Sequence, residues 1–97
     1  MDTYVLVHGA WHTGKDLEPV AEYIEFAGHK AFTPTIKGNR PTDPRNVGLA
    51  EAIQSIIDYL VRHDLKEVIL VGHSYGGMII TAAVSYTHLT LPTTPYV

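Results

Sequence analysis

Ser74 lies at the centre of Gly72-His73-Ser74-Tyr75-Gly76, a G-x-S-x-G pentapeptide. Its hydroxyl is a candidate nucleophile for attack on a carbonyl carbon. Such attack needs a base to take the proton and donors to hold the oxyanion that forms. The apolar run Val68-Ile69-Leu70-Val71 precedes the pentapeptide, and Met78-Ile79-Ile80-Thr81-Ala82-Ala83 follows it. The pattern reads as strand, sharp turn and helix, the context in which this motif carries chemistry. So tight a bend leaves no room for side chains at Gly72 and Gly76, and Gly77 lets helix and strand approach closely. The serine is expected to sit above the sheet edge at the start of a helix, where free N–H groups and the helix dipole favour an anion.

A second segment complements the first. Tyr4-Val5-Leu6-Val7 reads as a strand, and His8-Gly9-Ala10-Trp11 follows at once. If the two strands are neighbours, this loop lies beside Ser74. The backbone amides of Ala10 and Tyr75 are the candidate oxyanion donors. His8 is read as a structural histidine bracing the loop, not as a catalytic base. No pair of histidines sits at ligand spacing on a helix with a carboxylate partner, and His8 and His12 stand four apart on a loop, so no metal is expected. No cofactor is implied.

The remaining elements form a scaffold. Leu17, Val20, Ala21, Ile24 and Ala27 recur at helical spacing over 16–27, with Gly28 as the stop. Pro19 is acceptable only in the first turn. Residues 30–33 read as a strand ended by Pro34, and 36–47 as a loop rich in Gly, Pro and polar residues. Asp43 and Arg45 in that loop are read as a solvated surface pair. Leu49, Ile53, Ile56, Ile57, Leu60 and Val61 mark an amphipathic helix over 49–63, closed by a solvated His63. A third helix is expected over 74–84. Alternation of strand and helix implies an α/β fold of three parallel strands, near 4–7, 30–33 and 68–71, flanked by helices.

With these segments in view, residues 4–83 resemble the N-terminal part of an α/β-hydrolase of the small esterase and hydroxynitrile-lyase-like branch. The resemblance rests on Val5-Leu6-Val7-His8-Gly9-Ala10-Trp11-His12, on Ala27-Gly28-His29-Lys30, and on the run from Val68 to Met78. It implies a serine hydrolase acting on a small-molecule acyl substrate, with the first strand between the other two. Lys15 and Asp16 depart from the branch, which has aromatic residues there. A Ser nucleophile excludes the subfamilies that use Asp, such as dehalogenases and epoxide hydrolases. A non-catalytic ligand-binding or interaction protein of the same fold is the alternative.

In this family the triad runs Ser, then Asp or Glu, then His. After Ser74 there is no Asp, Glu, Lys or Arg, and His88 is the one later histidine. The expectation is therefore a truncated domain, residues 1–83, lacking the catalytic acid and histidine and inert as it stands. Its third strand would leave an open apolar edge. Residues 84–97 are expected to be an extraneous tail that packs poorly. Val84-Ser85-Tyr86-Thr87-His88-Leu89-Thr90-Leu91-Pro92-Thr93 resembles one reading frame of a transposon-type sequencing adapter.

Composition narrows the class further. Of 97 residues, 45% are hydrophobic, and the net charge of −3 offers no basic surface for nucleic acid or an anionic membrane. The chain has no Cys, hence no disulfide framework and no thiolate nucleophile. Asp2 before a short apolar run is not a signal-peptide pattern, and the expected location is cytoplasmic.

Overall fold

The computed structural model describes residues 2–39, 43, 48–65, 67–87 and 93–96; for 85–87 and 93–96 it describes the backbone alone. The elements are β1 (Thr3–Val7), a 3-10 turn (Gly14–Leu17), α1 (Glu18–Phe26), β2 (Lys30–Phe32), α2 (Leu49–Arg62), β3 (Val68–Gly72), α3 (Tyr75–Thr87) and β4 (Thr93–Tyr96). They follow the expected alternation of strand and helix, with three differences. Pro19 falls in the first turn of α1, and the residues before it wind as a 3-10 turn, so the helix proper begins at Glu18. Helix α3 runs beyond the expected end at 84, to Thr87.

The third difference is a fourth strand. The sheet order is β2-β1-β3-β4, all parallel, with β1 between β2 and β3 as expected. The apolar edge of β3, expected to be open, is paired with β4. Pro95 is tolerated on β4 because an edge strand needs only one row of ladder bonds. Leu89, Leu91 and His88, on which the tail reading turns, lie outside the described residues, as does Arg45.

The core follows from period-two alternation on the strands and helical spacing on α2 and α3. Val5 and Val7 of β1 and Val68 and Leu70 of β3 meet Ala52, Ile56, Ile57 and Leu60 of α2 and Ile79, Ile80 and Ala83 of α3. Leu6 and Ala21 are buried but lie outside this cluster.

The loop after β2 is tied down. Ile36 is fully buried in the core although its segment reads as loop. The Gly14 N–H donates to Thr35 Oγ1 (2.9 Å) and the Lys37 N–H to Ser55 Oγ on α2 (3.1 Å). Asp43 closes a local turn, accepting from the Gly38 N–H at 2.8 Å.

Candidate active site at the strand-to-helix turn

Strand β3 ends at Gly72, and α3 begins at Tyr75. Between them Ser74 is exposed and adopts φ 57, the left-handed region that L side chains avoid. The two glycines make the bend sterically possible. A Cβ on Gly72 would lie 2.5 Å from the Gly76 carbonyl oxygen, and one on Gly76 would overlap the carbonyl oxygens of Val7 and His8. The turn is closed locally: the Gly76 N–H donates to His73 O (2.9 Å) and the Gly77 N–H to Ser74 O (2.9 Å). Tyr75, the first residue of α3, has a first-turn N–H with no intrahelical acceptor.

The loop after β1 reaches this turn. The His73 N–H donates to Val7 O at 3.0 Å. A methyl group on Gly9 would touch Ser74 Cβ at 3.5 Å and His73 Nδ1 at 3.2 Å. Ser74, Tyr75 and the loop carrying Ala10 are therefore brought together. The Ala10 amide belongs to a turn closed by the His12 N–H on Gly9 O (3.3 Å).

His8 is a buried brace. Its Nδ1–H donates to Gly9 O (2.8 Å), and its Nε2 accepts from the Ile36 N–H (2.9 Å). Both ring nitrogens are occupied, so no proton can be taken from Ser74. Burial pushes the imidazole below its ordinary value of 6.5, against the raising influence of the Gly9 bond and of Asp16. The unfolded chain therefore binds a proton that the folded chain refuses. Stability from this site is complete above about pH 6.5 and is lost as pH falls below it. Thermal melts at pH 7.5 and 5.0 should show that loss. His8→Gln, whose side-chain oxygen can still accept from Ile36, should reduce the difference; an unchanged difference would assign the pH dependence elsewhere.

A cleft of about 240 Å³ is lined by His8, Gly9, His12, Asp16, Leu17 and His73; Ser74 is not among these residues but adjoins two of them, Gly9 and His73. The Asp16 carboxylate accepts from the Thr13 N–H (2.9 Å) and faces His12 Nδ1 at 3.4 Å. The Thr13 bond, then His12, hold the Asp16 carboxyl below its ordinary range. Sequence reading took Asp16 only as a departure from an aromatic pattern; the i, i+4 spacing from His12 was the available signal. Among the described residues, no three His, Asp or Glu side chains gather as a metal site. No described helix is long and apolar enough to cross a membrane.

Comparison with known proteins places this arrangement. The alpha/beta hydrolase family profile matches residues 4–96. A carbendazim-hydrolysing esterase from Nocardioides sp. (strain SG-4G) is 43% identical over 84 residues, covering 84% of this chain and 35% of that protein. Salicylic acid-binding protein 2 from Nicotiana tabacum is 39% identical over 83 residues, covering 77% and 30%. An extracellular alpha/beta-hydrolase from a Paenibacillus species superposes with a TM-score of 0.87 at 33% identity, over 91% of this chain and 36% of that one. The chain thus spans about a third of the length of the relatives it matches.

Proposed function

The chain belongs to the alpha/beta hydrolase family, and on that footing we propose that it is the nucleophile-bearing part of a serine hydrolase acting on carboxylic esters or related acyl compounds. The observation that carries the reading is Ser74 itself, exposed at φ 57 between glycines that admit no side chain. Ser74 Oγ attacks the acyl carbon, and the alkoxide or phenoxide leaves to give an acyl-serine. The amides of Ala10 and Tyr75 hold the oxyanion, each donor contributing about 3–4 kcal/mol to the transition state. A histidine, oriented by an Asp or Glu, takes the Ser74 proton and passes it to the leaving oxygen; water then releases the acid. Both groups come from the part of the enzyme beyond residue 83. The esterase names among the relatives support an ester substrate. The cytoplasm is the proposed compartment.

The test is covalent labelling. The source gene, recovered to the length of its relatives, should give a protein that reacts with an alkyl fluorophosphonate, losing fluoride and gaining the phosphonyl group on Ser74 Oγ. Peptide mapping should find the label on the peptide containing Ser74. Label elsewhere, or none on a folded protein, would support the second reading, a ligand-binding or interaction protein, which the relative named as a salicylic acid-binding protein favours.

A further inference from the structure

Asp16 is the one residue of the cleft lining that ionises to an anion, and no described Lys or Arg lines the cleft with it. Its carboxylate is held in place, accepting from the Thr13 N–H (2.9 Å) and facing His12 Nδ1 at 3.4 Å. The segment that carries it is tied to the loop after β2. The Gly14 N–H donates to Thr35 Oγ1 (2.9 Å), and Asn39 Nδ2 donates to His12 O (3.2 Å). A Cβ on Gly14 would overlap the Thr33 carbonyl oxygen, so the two segments lie in direct contact. Capping the 3-10 turn does not require a charge, because Asn or Ser offers the same acceptor oxygen. The charge is therefore left to act on the cleft, and His12 offsets it only when protonated. Burial disfavours the protonated form of His8, and the Asp16 charge works against that effect, so its field reaches the other lining residues. Two of these, Gly9 and His73, adjoin Ser74.

We propose that Asp16 is a specificity-determining residue that sets the charge class of the substrate: its carboxylate repels esters that carry an anionic group and leaves the cleft to neutral and cationic ones. This assignment rests on reading the Ser74 turn as the place where the carbonyl binds.

4-Acetylphenyl acetate and 4-carboxyphenyl acetate are suitable probes, being nearly equal in size and different by one negative charge. They are compared in the enzyme restored to the length of its relatives, at pH 8, where a free imidazole is uncharged. Asp16→Asn keeps an acceptor for Thr13 and removes the charge. It should raise the ratio of kcat/KM, anionic ester over neutral, about fivefold, the order of one unit-charge interaction across a partly solvated cleft. The oxyanion forms on both esters and cancels in that ratio. Asp16→Glu should keep the parent's ratio, and Asp16→Ser is the second neutral variant should Asp16→Asn fail to fold. Salt at about 1 M, which shortens the screening length to about 3 Å, should bring the parent's ratio to that of Asp16→Asn. Binding gives the same comparison without turnover. In a Ser74→Ala background, 4-acetylbenzamide should bind more tightly than 4-acetylbenzoate, read on the amides of Gly9 and His73, and Asp16→Asn should shrink that preference by the same factor. If neither ester were turned over while this preference stood, the nucleophile reading alone would fail. A ratio and a binding preference unchanged in the neutral variants, a ratio unmoved by salt, or no detectable binding of either compound would each overturn the proposal.

Discussion

Gly76→Ala should leave the chain unfolded. The added methyl group would overlap the carbonyl oxygens of Val7 and His8. These oxygens have no freedom to retreat. Val7 O already accepts from the His73 N–H, and β1 is hydrogen-bonded along both sides, to β2 and to β3. Moving β1 away would break its pairing with β3 and open the core at Val5 and Val7. Domains are stable by only about 5–15 kcal/mol. Overpacking typically costs about 1–3 kcal/mol where neighbours can shift, and here none can without losing the sheet. Gly48→Ala is the matched control. That glycine precedes α2, is exposed, and has nothing near an added Cβ. It should cost no more than about 1 kcal/mol. Far-UV circular dichroism with denaturant melts decides the matter; a Gly76→Ala chain as stable as the Gly48→Ala chain would mean that the turn is not as tight as described.

The second large effect is kinetic. In the enzyme restored to the length of its relatives, Ser74→Ala should lower kcat on a short-chain aryl ester by roughly 10⁶, the order seen when a triad serine is removed. The 97-residue chain alone should hydrolyse that ester no faster than its own Ser74→Ala variant. A serine hydroxyl is a weak nucleophile without a base, and His8 cannot serve, since both ring nitrogens are hydrogen-bonded. Brisk turnover by the chain alone, lost in Ser74→Ala, would make another histidine of the cleft the base. His12, paired with Asp16, would then be the first to replace.

What the sequence made legible was whatever local sterics determine. Gly72 and Gly76 announce the turn because no side chain fits there in so sharp a bend between strand and helix. The spacing of Ile56, Ile57 and Leu60 likewise marked the buried face of α2, since helical period and burial agree there. The structural role of His8 was also readable, because a ring at a strand end beside backbone donors and acceptors finds partners. Ile36 was not readable: its burial depends on the His8 ring and α2, both far away in sequence. Strand β4 was missed because residues 84–97 were set aside as an extraneous tail, and because Pro95 argues against a strand unless it lies at an edge.

The central place of β1 has a consequence in time. Tyr4 to Val7 pair with Ile69 to Gly72, so β1 leaves the ribosome long before its second neighbour exists. Until then it pairs only with β2, in a register of Thr3 with Lys30 to Val5 with Phe32. Closing so long a loop adds little entropy beyond a shorter one, since the cost grows only logarithmically, but contacts this distant in sequence slow the search for them. The loop from Gly9 to His12 and the serine turn therefore come together late, in the same step that docks β3. A nascent chain arrested before Val68 should hold Ile36, Ile56 and Leu60 without their partners on β3, a sticky intermediate that depends on chaperones during synthesis.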